Sequence, residues 1–321
     1  MTRYRKDLPQ MDDQLLLTDG GLETTLVFHE GVALPHFAAF DLLRIGDGTN
    51  MLRRYFARYI DIARTSGRGI VLETPTWRAN ADWGEQLGYT REALAHANRK
   101  AVELLVELRA AHETPRTRVV VSGNLGPRGD GYRPGSRMTA DAARAYHARQ
   151  IDLFAETDAD MAAAFTMNYV EEAIGIAWAA RDADMPVAIS FTVETDGRLP
   201  SGAGLAEAIA RTDDDTGGYP AYYMINCAHP AHFERTLRTD GAWIDRIRGV
   251  RANASKRSHA ELDESTDLDI GDPRELGFHY RKLRALLPRL TVVGGCCGTD
   301  HRHVQAISEA FVGARGDAAV A

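Results

Sequence analysis

The chain has 321 residues, 44% of them hydrophobic and 26% charged, which supplies a large buried core and excludes a disordered tail. Its 38 Lys and Arg against 45 Asp and Glu leave a formal charge of −7, a balance that argues against a nucleic-acid or anionic-membrane binder. No apolar run approaches the roughly 18 residues of a membrane span, and the first 13 residues carry no apolar signal core, so a cytoplasmic protein is expected.

In chain order, β-prone apolar runs alternate with stretches of helical spacing. Strands are expected at 15–18, 69–73, 118–122, 159–165, 186–191, 222–226, 247–252 and 290–293. Amphipathic helices are expected at 51–65, 91–111, 140–157, 170–184 and 205–211, the third with Thr139 as its N-cap. Parallel strands need crossover helices, and eight such units are what a closed barrel requires, so the fold class is α/β, a single (βα)8 TIM barrel. One domain is expected over 1–321, with 1–13 as an N-terminal arm and 313–321 as a frayed tail. A doubly wound sheet shares the alternation, but the Gly20-Gly21 pair has no third glycine in phase for a dinucleotide fingerprint. The Gly, Pro and Ser-rich stretches 123–136 and 200–204 follow candidate strands and read as βα loops, where barrel enzymes build their sites. The acidic run 261–272 reads as a solvated loop.

Three cysteines are present, Cys227, Cys296 and Cys297, an odd number with two adjacent, which speaks against a disulfide framework. All three fall just after candidate strands, on the rim of a barrel. Three thiolates around one Zn²⁺ leave a fourth tetrahedral position open, as a catalytic site requires, and a soft centre suits a sulfur substrate. The plainer alternative, three buried small hydrophobes, fits one isolated cysteine better than a pair flanked by glycines. Gly294, Gly295 and Gly298 are expected to free the backbone so that neighbouring thiols reach one ion. His301 and His303 follow Thr299-Asp300 and look like the first turn of a capped helix rather than ligands. Asp19 and Glu23, beyond the first strand, are candidates to hold a cationic amine or sulfonium, or else a helix cap and a surface acid. Trp77, after the second strand, is a candidate shield for a substrate cation, or a core residue. Ser201-Gly202-Ala203-Gly204 has too few glycines in register to cradle phosphate.

Taken together these residues resemble the homocysteine S-methyltransferases over nearly the whole chain. The landmarks run in order: Asp19-Gly20-Gly21, Asn124-Leu125-Gly126-Pro127, Val170-Glu171-Glu172-Ala173, Ser190-Phe191-Thr192, Ile225-Asn226-Cys227 and Gly294-Gly295-Cys296-Cys297-Gly298. The resemblance implies Zn²⁺ held by Cys227, Cys296 and Cys297, with Asn253 offering an oxygen as fourth ligand when substrate is absent. It implies methyl transfer from an onium donor to the thiol of homocysteine, giving methionine, with small molecules as the only partners. Asp19 would hold the amino-acid part, Glu23 and Trp77 would line the acceptor or donor pocket, and Asn226 would join them beside Cys227. The chain ends soon after the eighth unit, which points to a donor that diffuses in, S-methylmethionine or S-adenosylmethionine. Two positions depart from the family pattern. Phe165 stands where relatives carry a Glu for the acceptor's ammonium, and Arg78 would repel a cationic donor if it faced the pocket. A related thiol acceptor, or a non-catalytic zinc- or thiol-binding barrel, are the alternatives, while zinc hydrolysis is disfavoured because a trithiolate centre is a poor Lewis acid for water.

Overall fold

The computed structural model describes residues 2–312, so the tail expected at 313–321 lies outside the described residues. Eight parallel strands close in chain order into a barrel: β1 (Leu16–Leu17), β2 (Gly69–Glu73), β3 (Val119–Leu125), β4 (Met161–Met167), β5 (Val187–Phe191), β6 (Tyr222–Asn226), β7 (Ile247–Ala252) and β8 (Val292–Gly295). Closure is made by β8 against β1, where Leu16 pairs with Val292 and Leu17 with Val293. The fold is the expected single (βα)8 TIM barrel. Three strands have the expected bounds, and β3 and β4 run on to Leu125 and Met167, carrying site residues with them.

Strand parity sorts the apolar residues into two clusters. Leu16, Val71, Val120, Met161, Ala163, Phe165, Ala188, Tyr222, Met224 and Val292 pack together inside the barrel. Leu17, Ile70, Leu72, Val119, Val121, Ala162, Ala164 and Ile225 pack outward with the helices. A strand buried on both faces reads as a continuous apolar run, which is why these segments were legible. Period two then puts Glu73 two residues beyond Val71, and Asn226 two beyond Met224, on the inner face at the C-terminal ends of their strands.

The crossovers use helices Gly48–Thr65, Arg91–His112, Ala140–Ala155, Val170–Asp182, Leu205–Thr216 and Pro273–Leu286, and His301–Ala310 follows β8. Thr139 caps its helix as expected, accepting from Ala142 N at 3.2 Å. Between β6 and β7 the chain makes only short turns, Pro230–Phe233, Thr236–Arg238 and Ala242–Arg246. No helix among the described residues is long and apolar enough to cross a membrane.

The N-terminal arm floors the barrel. Asp160 accepts from the backbone N–H of Arg3, Tyr4 and Val121 and pairs with Arg109 at 2.6 Å, a fully bonded buried carboxylate that ties the arm to β3 and β4. Leu8 joins the inner cluster and Gln10 is buried beneath Tyr222, whose hydroxyl lies 3.4 Å from Gln10 Nε2. The opposite, C-terminal end of the strands is left to form the site.

Candidate active site

Cys227 follows β6 and Cys296 and Cys297 follow β8, and their three sulfurs lie within 4.8 Å of one another. Local backbone geometry makes this convergence. Cys227 leaves its strand in the left-handed region, at φ 53°, a conformation costly for a side-chain-bearing residue. Its carbonyl is fixed there by Asn253 Nδ2, donating at 3.0 Å, and by His259 Nε2, donating at 2.6 Å. At the second cluster, Thr299 donates to the Cys296 carbonyl from its hydroxyl at 2.7 Å and from its N–H at 3.1 Å, a turn that Gly298 completes at φ 77°. The expectation that Gly294 and Gly295 also supply backbone freedom needs correction. Neither has a positive φ, and their requirement is space, since a Cβ would lie 1.9 Å from Thr18 Oγ1 at Gly294 and 1.9 Å from Thr299 Oγ1 at Gly295.

Cys227 and Cys296 are joined by a disulfide and Cys297 is free. This corrects the expectation of unpaired cysteines: it is no framework, but sulfurs gathered tightly enough to share one ion are also within bonding reach of each other. Once that bond is reduced, the donor set is three thiolates. Asn253 Oδ1, buried without a hydrogen-bond partner, lines the same cavity. Three soft sulfurs and an orphaned oxygen fit a borderline-soft divalent ion in tetrahedral geometry. Without an ion the arrangement is costly to ionise, as burial and the Glu23 carboxylate push the Cys297 thiol up to about 11.

The sulfurs open onto a cavity of about 540 Å³ at the C-terminal end of the barrel. Asp19, Glu23, Trp77, Asn226, Cys227, Asn253, Cys296 and Cys297 all line it, so the structure brings every candidate from the sequence to one place. Their surroundings differ from expectation in three cases. Asp19 is engaged by this chain itself: Arg251 pairs with Oδ1 and the Tyr55 hydroxyl donates to Oδ2 at 3.0 Å. Asn226 is bonded throughout, accepting from Thr166 N at 2.9 Å and Ser190 Oγ at 2.7 Å and donating to Thr166 Oγ1 at 2.9 Å. It thereby holds Thr166 at φ 63°, where β4 breaks register. Trp77 has one ring face covered by the Arg78 guanidinium, 4.1 Å from the centroid, and the same guanidinium lies 3.9 Å from the Trp83 ring centre. Arg78 does line the cavity.

Among the lining residues left without a role by the sequence, four bear on the chemistry: Arg251, Glu73, Tyr132 and His259. Arg251 and Glu73 are charges at inward positions near the C-terminal ends of their strands, a signal that parity reasoning could have caught. Burial pushes the carboxyls of both Glu73 and Glu23 up to about 7. Tyr132 places its hydroxyl 3.9 Å from Cys297 Sγ and stacks on His259 with ring centres 4.2 Å apart, and the His259 Nδ1 faces Glu194 at 3.1 Å. No local pattern announces their meeting, since Tyr132 comes from the loop after β3 and His259 opens the short helix His259–Asp263. The loop bearing Tyr132 is tied down by buried Glu172, whose Oε1 accepts from Arg128 N and from His147 Nε2, both at 2.8 Å. The acidic run is for the most part the solvated loop expected, but its first residues, 261–263, complete the helix His259–Asp263, and Asp263, Asp267 and Asp269 line a wall of the cavity. His303 is bound to Asp300 N at 3.1 Å and to the Ile270 carbonyl at 2.8 Å, in the capped helix turn expected for it.

Comparison with known proteins agrees with this geometry. A family model described as homocysteine S-methyltransferase matches residues 16–311. No curated protein matches the chain. Among solved structures, the chain is similar to the homocysteine methyltransferase MmuM from Escherichia coli in its metallated form, at 18% identity and a TM-score of 0.70, covering 93% of this chain and 97% of that one. The oxidized form of the same protein gives 19% identity and a TM-score of 0.71 over the same shares, 93% and 97%. At such identities the likeness is one of fold.

Proposed function

This chain belongs to the homocysteine S-methyltransferase family, and from that premise we propose that it transfers a methyl group from an onium donor to the thiol of homocysteine, giving methionine, with Zn²⁺ held by Cys227, Cys296 and Cys297. The observation that carries the reading is the convergence of those three sulfurs within 4.8 Å at the C-terminal end of the barrel. S-methylmethionine and S-adenosylmethionine are the preferred donors, because each brings its methyl group already activated by positive charge. Bound zinc would supply a thiolate from the acceptor's thiol at neutral pH. Asn253 would provide the fourth donor through its free Oδ1 and yield that position to the acceptor.

The chain's own residues have distinct tasks in this reading. Asp19 keeps Arg251 in place rather than holding substrate directly, and Asn226 fixes the inner ends of β4, β5 and β6 beside Cys227. The acidic wall at Asp263, Asp267 and Asp269 gives the mouth a negative lining suited to a cationic donor, and Glu23, whose carboxyl burial raises to about 7, adds its charge as pH rises through that value. Trp77 acts by orienting Arg78. Thiolate ligands persist only where disulfides are kept reduced, so the reading places the protein in the cytoplasm.

The test is made on freshly reduced protein, measuring zinc by elemental analysis and methionine formation from homocysteine with each donor separately. One zinc per chain and turnover with a sulfonium donor are expected. Cys297→Ser, which leaves the Cys227–Cys296 pair intact, should lower zinc affinity and cut turnover by at least about a hundredfold. Full activity in the Cys297→Ser protein, or no zinc after reduction and reconstitution, would reject the metal reading.

A further inference from the structure

Homocysteine carries an ammonium as well as a thiol, so a cavity that selects it needs an anion free to receive that cation near the three sulfurs. The obvious candidate is spent: both oxygens of Asp19 are held, by Arg251 and by Tyr55. Phe165, inward on β4, offers no charge, and its ring lies 5.1 Å from the Arg251 guanidinium carbon. Glu23, in the turn after β1, is only half-buried, and its carboxyl is bonded to its own backbone N–H.

Glu73 differs from all of these. It closes β2 on the inner face of the barrel, lines the cavity, and is 4% exposed. Its Oε2 is buried with no hydrogen-bond partner among the described residues. A carboxylate oxygen withdrawn from water and left unbonded costs stability, and a cation arriving in the cavity recovers that loss. The charged and titratable neighbours acting on it are Arg251, Asp19 and Tyr222, with the Ser122 hydroxyl adjacent, and Arg251 is already committed to Asp19.

Resting on the methyltransferase reading above, we propose that Glu73 is the specificity-determining anion of the acceptor subsite, pairing with the acceptor's ammonium and so making the acceptor an α-amino thiol. The acceptor subsite is then two-pointed, sulfur toward the three cysteines and ammonium toward Glu73.

The experiment compares homocysteine with its des-amino analogue, 4-sulfanylbutanoate, on the reduced, zinc-loaded protein with a saturating sulfonium donor. The wild-type protein should favour homocysteine by at least about tenfold in kcat/KM, and Glu73→Gln should raise the KM for homocysteine by about tenfold or more while shifting that of the analogue less than about twofold. Equal use of the two thiols by the wild-type protein overturns the proposal without any variant, and so does a Glu73→Gln change that moves both KM values together or neither. Methylation of the analogue in those cases shows that the transferase reading stands although this one has failed. Transfer to neither thiol overturns the transferase reading and this inference with it.

Discussion

Arg251 and Asp19 meet across the barrel mouth, from the end of β7 and the end of β1, as an ion pair in which neither side chain is more than 8% exposed. The same guanidinium donates to the carbonyls of Gly295 at 3.0 Å and Gly20 at 3.1 Å, so one side chain ties β7, β8 and the β1 loop beside the sulfurs. Burying two charges is costly, and the cost is offset only while both partners are present. Arg251→Ala is therefore expected to destabilise the fold by about 3–5 kcal/mol, since it strands a carboxylate that burial already pushes toward protonation. Adding Asp19→Asn should recover on the order of 1 kcal/mol or more of that loss. Urea unfolding of the two single variants and the double variant measures the coupling, and a strictly additive result would refute it.

Arg78 poses the opposite problem, a cation stacked between two indoles in the mouth of a cavity proposed to admit a cationic donor. Burial lowers its pKa, yet Asp130 and Glu23 favour its charge and it remains a guanidinium at neutral pH. Replacing it with methionine keeps an apolar stem between the rings and removes the repulsion. Arg78→Met is expected to lower the KM for S-methylmethionine by about three- to tenfold with little change in kcat. A rise in KM would instead mean that Arg78 grips the donor's carboxylate.

The barrel was legible because its signal is repeated: each doubly buried strand reads as an apolar run and each crossover as a helical period. Three strands are matched residue for residue, and the strands that outrun their expected ends, β3, β4 and β8, do so at the C-terminal end, where the site lies. At Thr166 the strand continues through a left-handed residue that no propensity favours, held by an asparagine from β6. Cys227, Cys296 and Cys297 could be found because cysteine is rare and their positions follow strands. Tyr132 and His259 could not, since they meet only when the loop after β3 folds against the start of the helix His259–Asp263, and nothing in either segment announces the other. Asp19 is legible as a cavity residue, but its ion pair with a residue 232 positions away cannot be seen in its own neighbourhood. Glu73 sits at the end of an apolar run, where a charge reads as a strand boundary. Only the inward parity shared with Val71 reveals it as a buried acid.

Glu73 also leaves a mark on stability that does not depend on any substrate. Its carboxyl rises from 4.5 to about 7 on folding, mainly through burial. Between those values the folded protein holds a proton that the unfolded chain has released, so this contribution is complete below about pH 4.5 and is lost as pH rises through 7. Glu23, raised to about 7, works in the same direction. His229 opposes them: burial holds it down to about 3 from 6.5, so its contribution is present above 6.5 and lost as pH falls. The wild-type profile is thus a sum of opposed slopes, and the informative quantity is the difference between wild-type and Glu73→Gln, in which the His229 and Glu23 contributions cancel. The stability of the wild-type protein relative to Glu73→Gln should fall by on the order of 1–3 kcal/mol between pH 5 and pH 8, since glutamine cannot titrate. Urea unfolding midpoints at half-unit pH intervals would show it. A flat difference would mean that the carboxyl titrates alike in the folded and unfolded chain, and that Glu73 is not the dry acid that an ammonium would need to find.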